Sequence, residues 1–323
     1  MRLQGVVCSS LIALAVMTAC APVRQQNDTD DTPPPLVLRN HPLAGEIYTV
    51  KTGRIVGATE LLQAIASAEF ILIGETHDNS RQHQLQARML DHLAATHASA
   101  DIAFEMIDPE QGHMLAMHKP ASADELISLL NHVQSGWDYD HYYRDLFRIA
   151  LLAGFNILPA NIETQRLMAM MDAPGEKLPA DINNMVSRHP LLPAMETAMA
   201  QDIADSHCGV LSPEQVLPML RGQRLRDATM AMSLQKSAAR YKILIAGNGH
   251  VRNDWGVPRY LETRQGGLIS IGLLEVETGR NRPADYMQDW HDQALPFDYV
   301  WFTPRAGRED PCIAFIKSHK IKK

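Results

Sequence analysis

Phe70-Ile71-Leu72-Ile73-Gly74-Glu75-Thr76-His77-Asp78-Asn79 decides the fold class of this 323-residue chain. Four uncharged apolar residues, two of them β-branched and one aromatic, read as a short strand buried on both faces. Glycine stops the strand, and a polar turn carrying Glu75 and His77 follows. The same pattern returns in Lys242-Ile243-Leu244-Ile245-Ala246-Gly247-Asn248-Gly249-His250-Val251. A third run, Asp101-Ile102-Ala103-Phe104-Glu105-Met106-Ile107, ends on an acid. In open α/β sheets, strands of this kind deliver side chains into the crevice beyond their carboxyl ends. One cleft holding Glu75, His77, Glu105 and His250 is therefore expected.

Outward from these runs the pattern alternates. Ile47–Val50 and Arg54–Val56 flank Lys51-Thr52-Gly53 as a small hairpin, and Glu60–Ala68 reads as a short helix. Arg81–His97 places Leu85, Met89 and Leu93 on one helical face, with Asn79 or Ser80 as its cap. Helices are expected at Pro109–His118, Ala123–His132 and Tyr142–Ala153, and a further strand at Phe155–Ala160. From about Glu163 to Ala239 the chain is helical in character throughout, interrupted only by proline and glycine. The last strands fall at Leu268–Leu274 and Tyr299–Phe302. The fold class that follows is α/β: a central, mostly parallel sheet flanked by helices, with a large helical insertion over the strand ends.

The residues of the expected cleft suit proton transfer, because a carboxylate beside an imidazole orients it and stabilises its charged form. The same pair can begin a metal site, and a polar turn bonded to its own backbone is the structural alternative. Trp137-Asp138-Tyr139-Asp140-His141-Tyr142-Tyr143-Arg144 concentrates three tyrosines that helical spacing puts largely on one face. Met168, Met170, Met171, Met195 and Met199 read as core filling, with a ligand slot as the alternative. Arg224, Arg226 and Asp227 read as an ion network.

These motifs resemble the ChaN-like haem-binding lipoproteins, a branch of a wider group related to erythromycin esterases and Tiki-type proteases. The Gly-Glu-Thr-His-Asp-Asn turn carries the resemblance, and later segments agree in order. They include Phe104-Glu105-Met106, Gly136-Trp137-Asp138-Tyr139, Pro159-Ala160-Asn161, Gln223–Ala231, Gly249-His250-Val251-Arg252 and Phe302-Thr303-Pro304-Arg305. The match runs from roughly residue 45 to residue 316. It implies haem as the cofactor and a part in iron acquisition, beside an outer-membrane haem receptor. The family precedent is a homodimer holding stacked haems, with iron bound through tyrosine and a histidine assisting. Tyr139, Tyr142 and His207 are the ligand candidates here, against ordinary aromatic packing and a solvated loop histidine. The esterase relatives use matching Glu and His positions to activate a nucleophile. Glu75, His77, Glu105 and His250 carry that pattern over, either as a hydrolytic centre or as a silent remnant of one.

The amino terminus reads as a targeting segment. Arg2 precedes an apolar stretch from about Val6 to Met17, too short for a permanent membrane span, and Met17-Thr18-Ala19-Cys20 resembles a lipobox. Residues 1–19 are then a lipoprotein signal peptide and Cys20 the lipidated residue; an ordinary signal peptide is the alternative. Residues 20–44 form a proline-rich linker that cannot bury a core, 45–316 one α/β domain, and 317–323 a basic tail. Pro22 behind the cysteine favours the periplasmic face of the outer membrane under lipoprotein sorting rules. Cys208 and Cys312 remain, as one disulfide or as two free thiols. Removing residues 1–19 takes away Arg2 and no acid, so the formal charge goes from −7 to −8. An acidic chain without a basic stripe is a poor nucleic-acid binder. Two functions stay in view: a lipid-anchored haem carrier, and a periplasmic esterase or peptidase working through the Glu/His cleft.

Overall fold

The three apolar runs lie side by side in register, and that register builds the molecule. The computed structural model describes residues 32–133, 135–172, 179–262, 267–290, 294–310 and 312–313. Cys20, the 1–19 leader and the 317–323 tail lie outside the described residues. In chain order the first half runs β1 (Leu36–Val37), β2 (Ile47–Thr49), β3 (Arg54–Val56), α1 (Ala58–Ser67), β4 (Phe70–Ile73), α2 (Ser80–Thr96) and β5 (Asp101–Phe104). Next come α3 (Pro109–His118), α4 (Ala123–Leu130), a π-helical turn at Tyr139–Tyr143, α5 (Arg144–Leu152) and β6 (Asn156–Pro159). The insertion comprises α6 (Thr164–Asp172), α7 (Ala180–Arg188), α8 (Pro193–Ser206) and α9 (Pro213–Lys236). Finally β7 (Lys242–Ile245), α10 (Asn248–Val251), β8 (Leu268–Glu275), β9 (Tyr299–Thr303) and β10 (Arg305–Ala306) close the chain.

The main sheet has the order β3-β2-β9-β8-β4-β7-β5-β6. It is parallel from β9 to β6 and antiparallel only at β2 and β3, as the hairpin at its edge requires. Every residue of β4, β5 and β7 is buried. Alternation along each strand divides them between two cores. Ile71, Ile73, Ile102, Phe104, Ile243 and Ile245 face Leu85, Met89, Leu146 and Phe147 of α2 and α5. Phe70, Leu72, Ala103 and Leu244 face Leu225, Ala228 and Met230 of α9. The insertion thus covers the β4, β7 and β5 part of one face, while Tyr286 and Phe297 pack over β9 and β8, and α8 adds a small cluster of Met199 with Leu220 and Trp255. Met170, Met171 and Met199 are buried, which is the core-filling role expected of them. Among the described residues no helix is long and apolar enough to cross a membrane.

Two readings of the sequence need correction. The spacer expected to reach residue 44 is structured well before that point. Leu36 and Val37 pair antiparallel with Ala306 and Arg305, and Leu43 is buried in the second core. Proline-rich composition does not prevent a short edge pairing once a partner strand stands ready. The helix expected from Tyr142 to Ala153 begins instead with the π-helical turn, whose wider winding separates the three tyrosines.

Candidate functional site

Register brings the polar turns together. Ile73, Ile245 and Phe104 occupy one row across β4, β7 and β5. The next residues, Gly74-Glu75, Ala246-Gly247 and Glu105, therefore emerge at one level. The Asn248 amide donates to the Glu75 carbonyl at 3.0 Å. The Asn248 side chain exchanges hydrogen bonds with the backbone of Leu273 on β8. A Cβ on Gly74 would overlap that side chain, which explains glycine at the strand end. Gly247 has a similar role: a Cβ there would lie 3.2 Å from the His77 ring.

Glu75 is the buried anchor of the first pair. Its Oε1 accepts from His77 Nδ1 at 2.8 Å and from the Tyr143 hydroxyl at 2.5 Å. Its Oε2 accepts from Gln86 at 2.8 Å, with His83 Nδ1 3.6 Å away. His83 also donates through Nε2 to the His77 carbonyl at 2.9 Å. Burial pushes the Glu75 carboxyl up, but His83, His77 and Tyr143 outweigh it and hold the group below its ordinary range. Burial likewise opposes charge on His77, yet the Glu75 bond and the field of Glu105 raise its pKa overall. Burial and the Glu75 charge push the Tyr143 phenol well above 10.0, so it stays a donor. The His77 side chain keeps 28% of its surface exposed, and Trp137 sets its ring edge-on at 4.8 Å. With Nδ1 committed to Glu75, its Nε2 edge faces Gly247 and Glu105.

The second group is an acid–imidazole–acid triad. His250 Nδ1 bonds Asp227 Oδ1 at 2.6 Å, and its Nε2 lies 3.3 Å from Glu105 Oε1. Glu105 Oε2 accepts from the Gly247 amide at 2.7 Å. Burial alone would neutralise all three side chains. Instead, Glu105 and Asp227 push the His250 pKa up to about 10. His250 and His77 in turn hold the Glu105 carboxyl far below its usual range. His250 is thus an imidazolium between two buried acids.

The structure assembles all four expected cleft residues, Glu75, His77, Glu105 and His250, within one cluster. Asp227, Tyr143 and Gln86 join them as residues the sequence reading did not place there. A signal for Asp227 existed: an acid flanked by the buried Leu225 and Ala228 on one helix. It turns to His250, whereas Arg224 bonds the carbonyls of Val186 and His189. Among the described residues, no group of three or more His, Cys, Asp or Glu side chains has a geometry that could hold a metal ion.

The three ligand candidates separate sharply. The Tyr139 hydroxyl is buried, donates to the Met106 carbonyl at 2.7 Å and accepts from Gln111 at 2.9 Å. His207 is buried at the end of α8 with Nδ1 on the Ile203 carbonyl at 2.7 Å. Tyr142 is half-buried, packs on the His83 ring at 5.0 Å and makes no hydroxyl hydrogen bond among the described residues. Cys208 and Cys312 form a disulfide. Two surface clefts lie away from the Glu/His cluster. One of about 480 Å³ is beside Asp124 and Arg144, and one of about 400 Å³ is at the amino ends of β4 and β7.

A family model described as haem-binding uptake, Tiki superfamily, ChaN, matches residues 61–261. Among solved structures the chain is similar to ChaN of Campylobacter jejuni with cofacial haem, at 19% identity and a TM-score of 0.59. That match covers 79% of this chain and 95% of that one. An erythromycin esterase mutant in its open conformation matches at 10% identity and a TM-score of 0.43, over 82% and 99% of the two chains. No curated protein sequence matches the chain. The first likeness is one of fold, and the family match spans β4, β5, β7 and every residue of the Glu/His cluster. The chain belongs to the ChaN family of haem-binding uptake proteins in the Tiki superfamily.

Proposed function

We propose that this protein binds haem through Tyr142 and serves haem uptake as a lipid-anchored carrier. In this reading residues 1–19 direct export, Cys20 bears the lipid, and the domain stands on the periplasmic face of the outer membrane. It works there as a homodimer beside a haem receptor. Family membership over residues 61–261 carries the haem-binding part of the reading.

The support for placing haem at the rim of the cleft is Tyr142. Tyr142 is the one ligand candidate with a hydroxyl unengaged among the described residues, and the half-buried Trp137 ring adds aromatic surface nearby. Haem supplies an iron that accepts a protein oxygen or nitrogen ligand. Burial, with Asp78 and Asp138, pushes the Tyr142 phenol up to about 12, so at neutral pH its oxygen carries a proton. Holding iron through this oxygen would require the phenol to give up that proton, so haem affinity should rise with pH.

The geometry of the cluster favours a second reading, hydrolysis of an ester or peptide. His77 is oriented by Glu75 and can take a proton from water through Nε2, while the His250 imidazolium supplies fixed positive charge behind Glu105. Haem titration and ester hydrolysis by the same preparations separate the two readings. Under the carrier reading, Tyr142→Phe lowers haem affinity by roughly tenfold or more, about 1.4 kcal/mol, and His77→Ala leaves it within about twofold. Under the hydrolase reading, His77→Ala abolishes turnover and Tyr142→Phe spares it. Saturable haem binding unchanged by Tyr142→Phe would remove Tyr142 as the ligand.

A further inference from the structure

We propose that the Cys208–Cys312 disulfide is a redox-opened clasp on the Glu/His cleft, released by a dithiol reductant. The proposal rests on the reading of this cleft as the working site, and it adds control over that site.

The bond joins two arms that each end at one of the cleft's histidines. On the Cys312 arm, Arg308 lies four residues earlier in the chain. Its NH1 donates to Asp78 Oδ1 at 2.8 Å, and its NH2 to Glu275 Oε2 at 2.6 Å. Asp78 directly follows His77. Upstream, β10 pairs with β1, so the arm leaves from a fixed edge. On the Cys208 arm, a tight turn closes α8. The Cys208 amide donates to Asp205 and the Gly209 amide to Ala204, both at 2.9 Å, with Cys208 in the left-handed region at φ 63°. A displacement of Cys208 is therefore transmitted to the helix. Six residues before Cys208, Asp202 accepts from Arg252 NH1 at 3.1 Å. Arg252 is buried between the Trp255 and Trp290 rings, 3.4 and 4.5 Å from their centroids, and lies two residues after His250. The connection thus runs His77, Asp78, Arg308, Cys312, Cys208, Asp202, Arg252, His250. It crosses from the β4 turn to the β7 turn outside the sheet.

Its weakest members are electrostatic and solvated. The side chains of Asp202, Asp78 and Arg308 are 44%, 35% and 26% exposed. Solvent-screened ion pairs hold their partners weakly unless something else keeps them close. The disulfide does that by fixing the two arms together. Both cysteines are partly exposed, so a dithiol can reach the bond. One reductant thiolate attacks a sulfur to give a mixed disulfide, and its second thiol displaces the protein. Cys208 and Cys312 gain two electrons and two protons, and the reductant leaves as its own disulfide.

The test is hydrogen exchange and haem titration on the full chain, oxidised and treated with dithiothreitol, with thiol labelling to confirm the redox state. Reduction should raise exchange in residues 76–79, 202–210 and 248–252 by roughly tenfold through local opening that is insensitive to denaturant, whereas the β4, β5 and β7 amides should exchange only through denaturant-sensitive global unfolding. Haem affinity should fall by roughly tenfold in parallel, because Tyr142 packs on His83 beside the Asp78–Arg308 pair, and reoxidation should restore both. Cys208→Ser should match the reduced protein and ignore the reductant. Asp202→Asn keeps the disulfide and should loosen only 202–210 and 248–252. Unchanged exchange at 76–79 in fully reduced protein overturns the clasp. So does exchange at 76–79 that rises with denaturant as steeply as that of the core strands, which would make the bond a general staple and nothing more. If neither redox state binds haem, the carrier reading fails, and the exchange pattern still decides the clasp.

Discussion

Replacing His250 with leucine should destabilise the protein by about 3–5 kcal/mol, the range found when one partner of a buried charge network is removed. His250 stands between Asp227 at 2.6 Å and Glu105 at 3.3 Å, and neither acid reaches solvent. Leucine fills part of the volume but leaves two carboxylates facing each other with their cation gone. The effect should depend on pH in a direction the geometry sets. The His250 pKa rises from 6.5 to about 10 on folding, so its contribution is fully present below 6.5 and lost as pH climbs through about 10. Glu105 acts in the opposite direction: its depressed pKa gives stability above 4.5 that is lost as pH falls through its folded value. Asp227, raised from 3.8 to about 6 chiefly by burial, opposes Glu105: its contribution is full below 3.8 and is lost as pH rises through about 6. Urea unfolding of both proteins between about pH 7 and pH 11 should show the gap between them narrowing at the alkaline end. A gap of constant size would mean that His250 is not held as a cation.

The second large effect concerns the covalent link. Cys208 and Cys312 are 104 residues apart, and the loop they close contains β7, β8 and β9. Loop-closure entropy puts the restriction on the unfolded chain at about 4–5 kcal/mol for a loop of this length. The double variant Cys208→Ser, Cys312→Ser should lose about that much. Its denaturant slope should also steepen, because a chain without the cross-link exposes more surface on unfolding. Adding a dithiol to the unmodified protein should reproduce the loss, and adding it to the double variant should do nothing. A loss below about 1 kcal/mol would show that the unfolded chain is compact even without the link.

Sequence by itself determined the sheet and the first four members of the cleft. Phe70–Ile73, Asp101–Phe104 and Lys242–Ile245 are short apolar runs bounded by polar turns, and such runs bury on both faces wherever they pack. Glu75, His77, Glu105 and His250 follow those runs directly, so the ends of the strands carry them into one crevice. Both statements depend on local pattern, which a linear chain displays. Tertiary structure decided the rest. Strand register set Gly247 against His77 and put Glu105 within reach of His250. The rotation of α9 about its axis chose Asp227, and not Arg224 or Arg226, to meet that histidine. The π-helical turn sent the Tyr139 and Tyr143 hydroxyls inward and left Tyr142 at the rim, which regular helical spacing does not foretell. The pairing of Cys208 with Cys312 and of β1 with β10 depends on contacts between distant segments. Periodicity is a property of neighbours in sequence. Register, axial rotation and loop closure are settled by packing across the whole domain, where any one side chain contributes little to the choice.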